Sequence, residues 1–127
     1  MNRMDIYVGA RRSGKTATLI KKSAETGAYI LVATKHQAHA VYRQAKEMDY
    51  DIPLPVTVSE ITSMRNSFND SYMKKHGLLI DELRSVLDIA FCGIPIHGAT
   101  LNVDSNTVIK YFTQDERISV VDEPKQE

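Results

Sequence analysis

The segment GARRSGKT at residues 9–16 constrains this chain more than any other part of the sequence. It follows the pattern G-x-x-x-x-G-K-[ST], and the apolar run Ile6-Tyr7-Val8 leads directly into it. Because glycine has no Cβ, the backbone N–H groups at Gly9 and Gly14 can come close to a chain of phosphates. A helix that begins near Gly14 directs its unpaired N–H groups and its positive dipole end at the same anions. We therefore predict a phosphate-binding loop between a first strand and a first helix.

Two side chains at the end of this loop indicate how the phosphates are held. Lys15 offers a mobile positive charge to the outer phosphate oxygens, and the hydroxyl of Thr16 can take one position on a magnesium ion. A plain glycine turn between a strand and a helix is the alternative. The residues predicted to bind the nucleotide are Gly9, Ala10, Arg11, Arg12, Ser13, Gly14, Lys15, Thr16 and Ala17.

A second informative segment, GLLIDE at residues 77–82, places two carboxylates after a short apolar run. In an open parallel sheet, ligands bind beyond the carboxyl ends of the strands, where Asp81 and Glu82 would emerge. We predict that Asp81 holds magnesium, directly or through a water, and that Glu82 is the catalytic base that polarises an attacking water. The alternative is that Asp81 caps the next helix and Glu82 favours its first turn.

Apolar runs and helical spacing predict an α/β alternation along the chain. Helices are expected over 15–25 with a stop at Gly27, from the cap Thr34 to about Tyr50, from the cap Ser59, and over 83–91. Polar residues 66–76 indicate a loop or a loose helix. The predicted strands are 6–8, 28–33, 56–58, 77–80, 94–99 and 107–113, with 118–121 as a hairpin partner at the C-terminal edge.

Composition fits one globular domain. We expect the 127 residues to form a single domain over 1–121 with a polar tail over 122–127. Residues 1–50 contain nine Lys and Arg against four Asp and Glu, a bias that fits either solvated helix faces or a weak nucleic-acid footprint. No segment resembles a signal peptide or a membrane span, which predicts an intracellular, cytoplasmic protein.

Cys92 is the only cysteine, which excludes a disulfide framework and a cysteine-based zinc site. Because it follows an apolar helical face, we expect Cys92 to be a buried structural thiol.

Taken together, GARRSGKT and LLIDE resemble the Walker A and Walker B motifs of the P-loop NTPases. The resemblance covers Met4 to about Asn102 and is to the RecA-like division, which has an additional strand and an acidic pair after the Walker B strand. It implies a three-layer sandwich with a mainly parallel five-stranded sheet. It also implies ATP and Mg²⁺ as ligands, with Lys15 on the phosphates, Thr16 and Asp81 on the metal, and Glu82 as the catalytic carboxylate. The expectation of ATP rather than GTP as the ligand rests on this resemblance and on the absence of an N-K-x-D motif.

Within that division, the arginines of the loop and the segment LVATKHQAHAVYRQAKEM resemble the ATPase cores of helicases and bacteriophage terminases. The resemblance implies a small, phage-encoded ATPase that couples hydrolysis to DNA or RNA, to a protein assembly or to a homo-oligomer. The chain has room for neither a second helicase core nor a nuclease domain. Arg11, Arg12 and Arg84 do not form an assignable arginine finger, so slow hydrolysis in isolation is expected.

Two other functions stay open. Type II thymidine kinases have a similar loop, an IDE segment and a later strand resembling GIPIHGATLN, although one cysteine cannot supply their zinc cluster. A nucleotide-binding switch without meaningful catalysis is the second. Thr100 or Asn102 is either a sensor of the γ-phosphate or part of an ordinary loop.

Overall fold

The computed structural model describes residues 4–63 and 70–112. By their contacts, the residues divide into two compact units, Met1–Lys15 with Gly98–Glu127 and Thr16–His97. The elements are β1 (Ile6–Gly9), α1 (Lys15–Thr26), β2 (Tyr29–Val32), α2 (Lys35–Glu47), β3 (Val56–Thr57), α3 (Val58–Ser63), α4 (Asp70–His76), β4 (Leu78–Ile80), α5 (Leu83–Ala90) and β5 (Ile109–Phe112).

The first unit contains a two-stranded parallel sheet. β1 pairs with β5 so that Ile6 lies opposite Ile109 and Gly9 lies opposite Phe112. The ring of Phe112 also meets Tyr7 edge to face, at 6.1 Å between centroids. β5 lies within the predicted strand 107–113, and β1 ends where the glycine loop begins.

The second unit contains a three-stranded parallel sheet in the order β3-β2-β4. Leu31 of β2 is level with Val56 on one side and with Ile80 on the other. The Asp81 N–H donates to the Leu31 carbonyl at 3.0 Å, so the ladder continues one residue beyond β4. Because the strands are parallel, the carboxyl ends of β2 and β4 lie at the same edge of the sheet.

One part of the core of this unit lies where α3 and α5 cover the sheet. Its buried cluster comprises Leu31, Ala33, Val56, Val58 and Val86. β2 is buried at three of its four residues because it is central and nearly continuously apolar, as its sequence predicts.

Helix ends follow the sequence signals in most places. α1 ends at Thr26, and Gly27 takes the left-handed φ of +83° that closes a helix. Thr34 caps α2 by accepting from the Gln37 N–H at 3.2 Å. The predicted cap Ser59 is wrong, because Thr57 and Glu60 form the cap of α3. The Glu60 N–H donates to the Thr57 hydroxyl at 3.2 Å, and the Thr57 N–H donates to the Glu60 carboxylate at 2.9 Å.

The fold is α/β, but the five-stranded sheet is wrong: among the described residues the sheets have two and three strands. Residues 94–99, predicted as a core strand, are irregular. Ile94 and Ile96 are 64% and 48% exposed, and Pro95 has no N–H to donate to a neighbouring strand. The predicted hairpin at 118–121 and the tail at 122–127 lie outside the described residues.

The end of α5 and Cys92 are more exposed than the sequence predicts. Val86 is the buried residue of α5, whereas Leu83 and Phe91 are more than half exposed. The chain leaves this helix through a left-handed turn in which Cys92 has a φ of +57°. Cys92 is exposed, so the prediction of a buried thiol is wrong. Across residues 4–63 and 70–112, no helix combines the length and apolar character needed to cross a bilayer.

Candidate functional site

The loop after β1 holds the side chain of Lys15 close to its own backbone. The Lys15 ammonium donates to the Ala10 carbonyl at 2.6 Å and to the Ser13 hydroxyl at 3.2 Å. Both acceptors are neutral, so these bonds leave the positive charge of Lys15 uncompensated. The charge therefore lies over the turn of the loop, where an anion would be attracted to it.

Gly9 and Gly14 of the loop exclude a side chain for two different structural reasons. A Cβ on Gly9 would lie 2.6 Å from the Phe112 carbonyl oxygen and 2.8 Å from the Ser13 hydroxyl. Gly14 has a φ of +98°, a conformation that strains any side chain. Gly9 is thus needed where β5 packs against the loop, a reason that adds to the phosphate approach predicted from the motif.

Thr16, in the first turn of α1, meets Asp81 at the carboxyl end of β4. The Thr16 hydroxyl lies 3.1 Å from one carboxylate oxygen of Asp81 and 3.3 Å from the other. The two residues are 65 positions apart in the chain, and Asp81 is only 7% exposed. The fold therefore brings together the two side chains that the sequence predicts to bind magnesium.

The donor set of this pair suits magnesium. Mg²⁺ takes oxygen ligands at about 2.0–2.1 Å in an octahedron, which places neighbouring ligand oxygens about 2.9 Å apart. The oxygens of Thr16 and Asp81, at 3.1 Å, are close to that spacing. Within the described parts of the chain, no group of three or more His, Cys, Asp or Glu could hold a metal by itself. Water and substrate phosphates would complete the shell, as is common for Mg²⁺.

A cleft of about 190 Å³ opens beside this pair, at the edge where β2 and β4 end. Clefts that enclose a drug-sized ligand usually measure about 300–1,000 Å³, so this one has room for a phosphate group and water but not for a whole nucleotide. α2 forms its opposite wall. The lining residues are Thr16, Val32, Gln37, Ala40, Val41, Gln44, Asp81 and Glu82.

Glu82 links β4 to α5 in an unusual conformation. Its φ of +61° and ψ of +67° are left-handed, a region that costs a non-glycine residue about 1–2 kcal/mol. Glu82 occupies the N-cap position of α5, yet its side chain makes no cap hydrogen bond. Such strain is found most often at functional sites. The N-cap position of α5 therefore belongs to Glu82 and not to Asp81, the residue that the capping alternative names.

The structure brings Thr16, Asp81 and Glu82 together around one cleft. Ala17 follows on α1 and is half-buried, while Thr100 and Asn102 lie in an exposed irregular segment and Arg84 is exposed on α5. Sequence reasoning missed Gln37, which also lines the cleft. The spacing T-x-x-Q at residues 34–37 was the available signal, since it is a capping-box pattern that fixes a glutamine at a strand end.

Comparisons of this chain with family models, curated proteins and solved structures found no match.

Proposed function

We propose that this chain is a magnesium-dependent ATP-binding protein and a small ATPase. The observation that carries the proposal is the contact between the Thr16 hydroxyl and the buried Asp81 carboxylate, with Glu82 lining the same cleft. A hydroxyl and a carboxylate at magnesium-ligand spacing, next to a second carboxylate, are the groups that nucleotide hydrolysis requires.

Each residue has a separate part in this proposal. Lys15 and the backbone N–H groups of the loop bind the phosphates, and Thr16 and Asp81 hold Mg²⁺. Bound Mg²⁺ supplies positive charge that stabilises the phosphate oxygens. Glu82 accepts a proton from the attacking water. Because Glu82 is exposed, a substrate or a partner has to cover it before water is excluded.

The size of the cleft supports terminal phosphates as its occupants. A volume of about 190 Å³ leaves the base outside, so nothing in this cleft selects between ATP and GTP. The choice of ATP rests on the resemblance of GARRSGKT and LLIDE to the P-loop NTPases.

The two faces of α2 support coupling to a partner. One face lines the cleft through Ala40 and Gln44, and a neighbouring face exposes His39, Arg43 and Lys46 at four- and three-residue spacing. A basic stripe on a helix that borders the cleft is suited to sensing DNA or RNA, and a protein assembly or a homo-oligomer is the other kind of partner. We propose that this chain is phage-encoded and acts in the cytoplasm.

Turnover of the isolated chain is expected to be slow. An arginine supplied to the transition state accelerates phosphoryl transfer by about 10³–10⁵-fold. Arg84 is exposed on α5, and a finger in this chain is not assignable, so a partner is the expected source of that charge. A partner that completes the site would therefore raise the rate.

Phosphate release from ATP, with and without single- and double-stranded DNA, tests the proposal. Wild type should release phosphate only with Mg²⁺, and Glu82→Gln should lower the rate about 100-fold or more while still binding ATP. Asp88→Asn removes an exposed carboxylate of α5 outside the cleft and is the matched control.

Three outcomes would contradict the proposal or redirect it. If wild type releases no phosphate under any of these conditions, the proposed ATPase activity is wrong. Stabilisation by ATP without phosphate release would favour the switch, and ADP formation that requires an added nucleoside would favour the kinase.

A further inference from the structure

Gln37 is held by hydrogen bonds at its backbone N–H and at its side-chain oxygen. Its backbone N–H donates to the Thr34 hydroxyl at 3.2 Å, and its side-chain oxygen accepts from the Ala33 N–H at 3.2 Å. These two bonds, to Thr34 and from Ala33, form a capping arrangement directly after β2. They fix the orientation of the Gln37 amide with little freedom left.

This arrangement determines which polar group Gln37 offers to the cleft. A glutamine amide has one carbonyl oxygen and one NH₂ group. Since the oxygen is engaged by Ala33, the NH₂ group is the part that remains for the cleft that Gln37 lines with Asp81 and Glu82. A fixed donor thus shares a small cavity with two carboxylates.

The second glutamine of the cleft does not have this arrangement. Gln44 directs its NH₂ group along α2, 3.8 Å from the sulfur of Met48. Gln37 is therefore the amide of the cleft that is fixed by a hydrogen bond at the end of β2.

We propose that Gln37 is a further catalytic residue whose NH₂ group holds the attacking water against Glu82; this inference rests on the proposed ATPase. The NH₂ group donates to one lone pair of the water oxygen, and the other lone pair attacks the terminal phosphorus. A P–O bond to the water oxygen forms as the bond between that phosphorus and the bridging oxygen breaks. ADP leaves with the bonding electrons, and the water proton passes to the Glu82 carboxylate.

Substitutions at Gln37 and Thr34 separate this role from helix capping. Gln37→Glu keeps an oxygen for the Ala33 N–H but cannot donate, so the cap is retained and the donor is lost. Gln37→Met loses both without adding charge. Thr34→Ala removes the other half of the cap and leaves the Gln37 amide in place.

The readouts are kcat and KM for ATP, and the melting temperature of each variant. We expect Gln37→Glu and Gln37→Met to lower kcat about 10- to 100-fold, as loss of a positioned hydrogen-bond donor does, with KM changed less than about threefold. Thr34→Ala and Gln37→Met should lower the melting temperature, whereas Gln37→Glu should not. Thr34→Ala should keep most of its kcat.

The inference is overturned if Gln37→Glu turns over ATP like wild type, because Gln37 would then only cap α2. It is also overturned if Gln37→Glu is slow but Gln37→Met is not, because the added charge would then explain the loss. When Glu82→Gln is slow and Gln37→Glu is not, this inference alone fails. If wild type has no activity, the proposed function fails and this inference fails with it.

Discussion

The junction of β4 with α5 differs from the other two strand-to-helix junctions in the Thr16–His97 unit. At the start of α2, the Thr34 hydroxyl accepts from the Gln37 N–H and the Gln37 side chain accepts from the Ala33 N–H. At the start of α3, Thr57 and Glu60 exchange reciprocal bonds. α5 begins with Glu82, which is left-handed and makes no side-chain cap. The first two junctions use their polar side chains to stabilise helix ends, whereas the third leaves a carboxylate free at the cleft.

This difference indicates that the junction of β4 with α5 is less stable than the other two junctions. A side-chain cap contributes about 1 kcal/mol to a helix end, and a left-handed non-glycine residue costs a similar amount. At the third junction both terms are unfavourable, yet Asp81 beside it is buried and in contact with Thr16. Local strain next to a fixed carboxylate is what a site for ligand chemistry shows.

The largest effect is expected at Glu82 itself. Glu82→Gly removes the proposed base, so ATP turnover should fall about 100-fold or more. The same change relieves the left-handed backbone and should make Glu82→Gly about 1 kcal/mol more stable than Glu82→Ala, which retains the strain. Steady-state kinetics and urea unfolding of both variants measure the two effects. An Ala variant more stable than the Gly variant would show that this junction is not strained.

A smaller effect is expected at the capped junction of α2. Thr34→Ala should lower the free energy of unfolding by about 1 kcal/mol, because the Gln37 N–H loses its acceptor. Thr34→Ser keeps the hydroxyl and is the matched control. Urea unfolding of the three proteins measures the difference. Equal losses in both variants would show that the hydroxyl does not cap α2.

The smallest effect is expected at Glu60, at the junction of α3. The hydrogen bond from Lys35, together with its charge and the bonds from Thr57, lowers the pKa of Glu60 below 4.5, against the opposing effect of burial. A lowered pKa in the folded state means that the contribution of Glu60 to stability is present above pH 4.5. That contribution is lost as the pH falls through the folded-state pKa.

Glu60→Gln tests this contribution, because glutamine can still accept from the Thr57 N–H. Wild type should be slightly more stable than Glu60→Gln near neutral pH, and the difference should vanish in acid. The pair with Lys35 is partly exposed, so the effect is modest. Thermal unfolding across this pH range measures it. A difference that does not change with pH would show that the ionised Glu60 adds nothing.

The sequence predicts the elements whose signals are local. The turn between β1 and α1, the cap at Thr34, the stop at Gly27 and the buried β2 depend on residue types at short spacing, and the structure has them. Residues 94–99 have strand-like composition, but a strand also needs a neighbouring edge that local sequence does not specify. Burial of Cys92 likewise depends on which elements cover α5. The contact of Thr16 with Asp81 spans 65 residues, and it was expected because both segments should lie at the carboxyl ends of parallel strands.

Gln37 and the left-handed Glu82 show what pattern reasoning leaves out. The capping box at 34–37 could be recognised, but its place on a cleft follows only from the order β3-β2-β4, which sets β2 beside β4. Glutamate has no preference for a left-handed conformation, so its sequence gives no hint of the strain.

The most direct test of the account is the effect of Mg²⁺ on ATP binding by wild type and Asp81→Asn, measured by titration calorimetry with magnesium and with EDTA. Asparagine keeps an oxygen for the Thr16 hydroxyl but loses the charge that holds the cation. If Thr16 and Asp81 hold magnesium, Mg²⁺ should strengthen ATP binding to wild type, and Asp81→Asn should lose about tenfold or more of that gain without weakening binding in EDTA. Equal enhancement by Mg²⁺ in both proteins would contradict the account.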